Sequence, residues 1–152
     1  MVLDLLFGRG SEFYTRVYEE GLIDEKEAIR RVDPAQLANR LRPETALVSV
    51  VYANNEIGTI EPIEEIAKIT KEKNVLLHTD AVAAVGAIPV DVKALGVDFM
   101  ACTAHKMLGP TGIGMLWGRR DILEAMPPFL GGGEMIRSVT LTRSTWNELP
   151  WK

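Results

Sequence analysis

A single cysteine and two histidines are all the thiolate and imidazole ligands that this chain of 152 residues offers. That is too few for a metal centre unless carboxylates are recruited at unsupported spacings. Cys102 has no partner for an internal disulfide, which suits a reducing compartment. Lying inside an apolar run, it reads as a small buried hydrophobe rather than a reactive thiol. Excess positive charge is also missing: 17 Lys and Arg stand against 21 Asp and Glu, a net charge of −4. Without a basic stripe to displace counterions, neither nucleic acid nor an anionic membrane is an expected partner. No apolar run reaches the ~18 residues of a membrane-crossing helix. The opening Met1-Val2-Leu3-Asp4-Leu5-Leu6-Phe7 is too short and too acidic for a signal peptide. A cytoplasmic protein is the expectation. Internal repeats and low-complexity linkers are absent as well.

What is present suits a globular domain with a real core: 47% of the residues are hydrophobic and 25% charged. The first thirty or so positions are the least legible, with helical signals at Ser11 to Tyr18 and at Asp24 to Arg31 that carry no chemistry. From Asp33 the pattern sharpens. Asp33 can cap a helix that has Pro34 at its first position, Leu37 and Leu41 on one face, and Pro43 as its stop. Ala46 to Tyr52 is a β-branched run that reads as a strand buried on both faces. A loop at Asn54, Asn55 and Gly58 follows. Ile63 to Lys73 places Ile63, Ile66, Ala67 and Ile69 among charges as an amphipathic helix, leading to a strand from Val75. Strand, helix and strand in this order make a parallel unit. A weaker helix is expected at Ala81 to Val85, a brief turn at Val92 to Leu95, a third strand at Val97 to Thr103 and a fourth at Ile113 to Trp117. A short helix at Asp121 to Met126 should end at Pro127-Pro128, and Val139 to Thr142 suggests a hairpin arm.

The chemistry-bearing residues fall where these strands end. Asp80 closes one apolar run, and His105-Lys106 closes the next, just ahead of Gly109-Pro110-Thr111-Gly112-Ile113-Gly114. Asn55 follows the first strand. In open α/β sheets ligands bind beyond the carboxyl ends of the parallel strands, so these exits aim polar groups at one crevice. Each residue alone has an ordinary explanation: lysines are mostly exposed, aspartates cap helices, and a lone histidine is usually a satisfied loop or core group. The glycines are not a phosphate-binding P-loop, because Lys106 precedes them where that lysine must follow. Together, however, a lysine able to hold an aldehyde as a Schiff base and a carboxylate able to keep a pyridine nitrogen protonated are what a pyridoxal phosphate site requires. Burial of Lys106 behind an apolar strand is expected, which would lower its pKa toward the range of a nucleophilic amine.

The segments Asn54-Asn55-Glu56-Ile57-Gly58-Thr59-Ile60, His78-Thr79-Asp80-Ala81 and His105-Lys106 with the glycines behind them resemble the cysteine desulfurases, a branch of the class V aminotransferase-like pyridoxal phosphate enzymes. Ala125 to Ile136 is similar to the SufS-type, selenocysteine lyase-like branch. The resemblance covers Asp33 to Lys152. It implies an α/β fold, part of the large domain of a fold-type I pyridoxal phosphate enzyme. That fold has a mostly parallel sheet flanked by helices and one antiparallel member at Ile113 to Trp117. By the same resemblance Lys106 is the Schiff-base lysine and acid/base, and Asp80 pairs with the pyridinium nitrogen. His105 flanks the lysine and helps bind phosphate, Thr103 stands at a phosphate-binding position usually held by serine, and Asn55 lies near the cofactor ring and the substrate carboxylate. The implied reaction converts L-cysteine to L-alanine and passes the sulfur on as a persulfide for iron–sulfur cluster assembly or related delivery. A homodimer and a sulfur-acceptor protein are the implied partners. A selenocysteine lyase, an aminotransferase or a noncatalytic remnant are the alternatives.

Two departures from the family pattern stand out. Ala83 occupies the place of a glutamine that would bond the cofactor's phenolic oxygen. The family's ring-stacking residue, persulfide cysteine and carboxylate-gripping arginine have no counterpart here, and Cys102 is not that cysteine. The expectation is therefore a middle fragment, with residues 1–32 unassigned and residues 33–152 forming the central part of the cofactor-binding domain. Alone it is expected to be catalytically incompetent and marginally stable or prone to aggregate.

Overall fold

The computed structural model describes residues 32–151; the helical signals at Ser11 to Tyr18 and at Asp24 to Arg31 lie outside the described residues. The chain divides into two compact units, Met1–Trp117 and Gly118–Lys152.

Helix α1, Pro34–Arg40, starts as expected: Asp33 accepts a hydrogen bond from the Ala35 amide at 2.9 Å, Pro34 holds the first position, and Leu37 is buried. Helix α2, Ile63–Glu72, buries Ile63, Ile66, Ala67 and Thr70, spaced i, i+3, i+4 and i+7 along one stripe. It lacks a side-chain cap, but Glu64 and Glu65 in its first turn and Lys71 in its last match the helix dipole. Asn74, at φ 53, turns the chain out of the helix and into the next strand.

The main sheet has the order β1-β2-β3-β4, from β1 Leu47–Val51, β2 Leu76–Asp80, β3 Phe99–Thr103 and β4 Gly114–Gly118. The first three are parallel, with Val51 opposite Asp80 and Asp80 opposite Ala101. Strand β4 turns back beside β3: Ala104, just past β3, donates to the Ile113 carbonyl just before β4. The connection is too short for a parallel crossover. A short helix α3, Val92–Leu95, leads into β3 after Asp91 caps it through the Lys93 and Ala94 amides. Gly96 ends α3 in the left-handed conformation at φ 71, where a Cβ would press within 3.3 Å of Ala67.

Each parallel strand alternates half-buried and buried residues. One face carries Val48, Val50, Leu77, Thr79, Met100 and Cys102 into the core with Leu37, Ile63, Ile66 and Leu95. Two polar groups on this side are satisfied, Thr79 by the Val50 carbonyl at 3.0 Å and the Asp98 carboxylate by the Leu77 amide at 2.9 Å. The opposite face, with Leu47, Ser49, Val51, Leu76, His78 and Asp80, is only half-buried. This corrects the expectation that β1 is buried on both faces: an unbroken apolar run reports hydrophobicity but not which side is covered.

The segment after Asp80 also differs from expectation. Residues 81–88 form consecutive turns rather than a helix, with Ala84 and Val85 bonding back to Ala81, and Ala87 and Ile88 to Ala84. Ala81 and Ala84 are fully buried, and their packing holds as turns a segment whose own propensities favour a helix.

In the second unit, helix α4, Arg120–Ala125, carries an i, i+4 pair between Arg120 and Glu124 at 2.7 Å and stops before Pro127. Strands β5, Ile136–Val139, and β6, Ser144–Trp146, form an antiparallel hairpin. The arm expected at Val139 to Thr142 is instead mostly the turn, closed by Thr140 and Arg143 through backbone and hydroxyl bonds of 2.8 to 3.0 Å.

Candidate functional site

The parallel register brings the exits of β1, β2 and β3 to one end of the sheet. Tyr52 donates to the Asp80 carbonyl at 2.8 Å and Ala81 to the Ala101 carbonyl at 2.9 Å, so the strands stay paired to their last residues before the loops diverge. Asn55 is exposed in the turn after β1. That turn is built by its neighbour: Asn54 Oδ1 accepts from the Glu56 and Ile57 amides at 2.9 and 3.0 Å. Asp80 is half-buried, and its Oδ1 accepts from the Val82 amide at 2.9 Å. One carboxylate oxygen is thereby held while the other has no partner among the described residues.

Lys106 ends a single 3-10 turn, Ala104–Lys106, that leaves β3 at Thr103. Two glycines shape this turn. Gly109 donates to the Ala104 carbonyl at 2.8 Å, and a Cβ on it would strike Ala104 at 2.9 Å. Gly86, at φ 89, lies so close that a Cβ would come within 3.0 Å of the Lys106 carbonyl. The loop leaving Asp80 is thus packed directly on the backbone of Lys106, and the absence of a side chain permits it. The expected burial of Lys106 is not found: it is exposed, because it sits on a turn outside the sheet.

Thr103 and His105 are joined, Oγ1 to Nδ1, at 2.9 Å, and Thr103 Oγ1 also reaches the Ile113 carbonyl at 3.2 Å. A hydroxyl has one proton, so where it donates to Ile113 it accepts from Nδ1–H, and the imidazole then presents Nε2 outward. By strand alternation Cys102 points to the opposite, helix-covered face from Thr103 and is buried. Ala83 is half-buried in the turns after Asp80 and brings no polar group to the site.

Sequence reasoning missed a further polar pair. Ser49 Oγ lies 2.8 Å from His78 Nδ1, one step below Asp80 on the half-buried face. Burial lowers the His78 pKa below the usual imidazole value, and the nearby Asp80 charge partly offsets this. The alternation His78-Thr79-Asp80 signalled that the two share a face; the Ser49 contact needed the register.

Residues 23–152 match the family model of the class-V aminotransferases. This chain belongs to that family. Among curated class-V relatives, a cysteine desulfurase of Haloferax volcanii is 45% identical over 139 residues, covering 91% of this chain and 30% of the relative. The cysteine desulfurase IscS of Dictyoglomus turgidum is 51% identical over 102 residues, covering 67% of this chain and 25% of the relative. Among solved structures, the cysteine desulfurase CsdA of Escherichia coli superposes with a TM-score of 0.73 at 31% identity, over 78% of this chain and 30% of that one. An apo cysteine desulfurase of Thermococcus onnurineus gives 0.71 at 34% identity, over 79% and 30%. This class-V chain therefore spans under a third of the length of these relatives, and its mixed sheet with flanking helices is part of their domain.

The residues at the strand exits fit pyridoxal phosphate by their chemistry: an amine, a carboxylate with one open oxygen, an imidazole and a hydroxyl, on loops held together by the Gly86 contact.

Proposed function

We propose that this chain is the cofactor-holding central part of a cysteine desulfurase, with residues 33–152 contributing to the large domain. The observation that supports this reading is the packing of the loop after Asp80, at Gly86, on the backbone of Lys106, which ties the loops leaving β2 and β3 together. Family membership and the names of the similar proteins support it.

Pyridoxal phosphate, when bound, supplies an aldehyde that condenses with amines and a ring that withdraws electrons from the attached carbon. Lys106 would supply the amine that holds the aldehyde and would serve as the acid/base that moves protons on the substrate-derived carbons. Asp80, through its open oxygen, would keep the ring nitrogen protonated. Thr103 and His105, at the exit of β3, would help hold the phosphate, and Asn55, in the turn after β1, would serve the ring and the substrate carboxylate. L-cysteine is the proposed substrate and L-alanine the product. The sulfur leaves to a thiolate from outside these residues, since Cys102 is buried on the far face. A homodimer, onward sulfur delivery to an acceptor protein for iron–sulfur assembly, and a cytoplasmic setting complete the proposal. Exposure of Lys106 favours a chain that captures the cofactor weakly and does not turn over on its own.

The test is an absorbance spectrum of the chain after incubation with pyridoxal phosphate and removal of the excess, beside Lys106→Ala, followed by borohydride reduction and peptide mass mapping. A band that depends on Lys106 and a reduced adduct mapped to Lys106 are expected. A band that survives Lys106→Ala, or an adduct spread over surface lysines, would sink the assignment of Lys106.

A further inference from the structure

The half-buried sheet face holds one polar pair that the proposed function does not use. Ser49 on β1 and His78 on β2 are register partners, bonded Oγ to Nδ1 at 2.8 Å. His78 and Asp80 share a face two residues apart, a separation of about 6.6 Å along a strand. The carboxylate acts on the ring electrostatically, favouring its charged form against burial. Among the described residues His78 Nε2 has no partner, and Asp80 is held only through Oδ1 by the Val82 amide. Where the Ser49 hydroxyl donates to Nδ1, the ring proton resides on Nε2, and the ring offers an N–H dipole on the face where Asp80 is the charged acceptor.

We propose that Ser49 and His78 form a positioning pair for Asp80. Ser49 fixes the tautomer and tilt of the imidazole, and the Nε2–H, through one bridging water, holds the carboxylate turned toward the ring nitrogen of pyridoxal phosphate. This rests on the reading of Asp80 as that nitrogen's partner. Neither Ser49 nor His78 touches the cofactor in this arrangement. Their effect passes through the orientation of one carboxylate, as outer partners of a ligating group commonly act. A mere tie between strands would affect stability and nothing specific to Asp80.

Two measurements on the full chain test the pair. The first needs no cofactor: NMR titration of the His78 ring in the wild type, Asp80→Asn and Ser49→Ala. Asp80→Asn should lower the His78 midpoint further, since the carboxylate's opposing influence is gone, and Ser49→Ala should shift the ring nitrogens away from a pure Nε2–H pattern. An unmoved midpoint in Asp80→Asn, or an Nδ1–H tautomer in the wild type, overturns the proposal. The second compares capture of pyridoxal phosphate with capture of its analogue in which CH replaces the ring nitrogen. Ser49→Ala and His78→Phe should each weaken capture of pyridoxal phosphate roughly three- to tenfold, leave the analogue unaffected, and add nothing to Asp80→Asn. Equal weakening of both ligands, or additivity with Asp80→Asn, would reduce the pair to an interstrand tie and overturn the proposal. A wild-type chain that captures neither ligand defeats the cofactor reading and, with it, the assigned role of the pair. The titration separately decides whether ring and carboxylate are coupled.

Discussion

His78 makes a stability prediction that is independent of any cofactor. Its folded pKa lies below the ordinary imidazole value because burial disfavours the charged ring. Between the folded and unfolded midpoints the unfolded chain binds more protons, so stability rises with pH across that window. The contribution is complete above the model-peptide value of 6.5, declines as pH falls toward the folded midpoint, and is flat below both. Urea titrations from mildly acidic to neutral pH should show this slope in the wild type and a shallower one in His78→Gln. An equal slope in both would place the acid sensitivity elsewhere. Residues at this scale were unevenly legible. The positions of Asp80 at the end of β2 and of His105 and Lys106 just past β3 were legible, because the apolar runs before them mark the strands. The partnership of Ser49 with His78 depends on how two strands align across 29 positions of chain, and no local pattern encodes that.

At the scale of elements, the Gly86 loop links backbone conformation to the Lys106 turn. Gly86→Ala forces a Cβ to within 3.0 Å of the Lys106 carbonyl in a left-handed conformation at φ 89. A cost of about 1 to 3 kcal/mol is expected from the strain alone. The clash should also displace the Lys106 turn, so that the lysine-dependent absorbance band falls more than the fraction of folded chain does. A band that tracks folding would mean the contact is structural only. By contrast, Ile66→Ala, at a position with 0% exposure in α2, should cost about 2 to 5 kcal/mol by opening a cavity between helix and sheet, measured as a shift in the urea midpoint, without altering the band in the folded fraction. Helix α2 was readable because Ile63, Ile66 and Ala67 recur at helical spacing among charges; Ile69, also expected on that stripe, is only half-buried, and Thr70 takes the core position instead. The turns after Asp80 were not, because Ala81 and Ala84 are buried to 0% exposure by tertiary packing, and packing decided the conformation of a segment whose own propensities pointed to a helix. The hairpin arm was misplaced for a related reason: Thr140 and Arg143 close a turn through the threonine hydroxyl, a bond that outweighs the β-propensity of the surrounding threonines.

For the molecule as a whole, the edge of the main sheet governs behaviour in solution. Strand β4 ends the order β1-β2-β3-β4, so its outer backbone groups are unpaired among the described residues. Its approach and first half expose Ile113, Met115 and Leu116 at 58%, 56% and 63%. An apolar strand with an open edge is a template for pairing with another chain, and contiguous exposed apolar surface of this kind favours association. The net charge of −4 spread over 152 residues provides little repulsion against it. The purified chain should therefore show an apparent mass that rises with concentration in light scattering. Replacing both Met115 and Leu116 by lysine removes apolar surface and adds charge to the edge, two devices by which natural sheets resist pairing. It should restore a monomer-like mass without lowering the urea midpoint by more than about 1 kcal/mol, since neither side chain is buried. Association that persists unchanged in the double lysine variant would move the contact away from β4, to the half-buried face that carries Ser49, His78 and Asp80. In that case Ser49→Ala and His78→Phe would alter the association constant while the β4 substitutions would not.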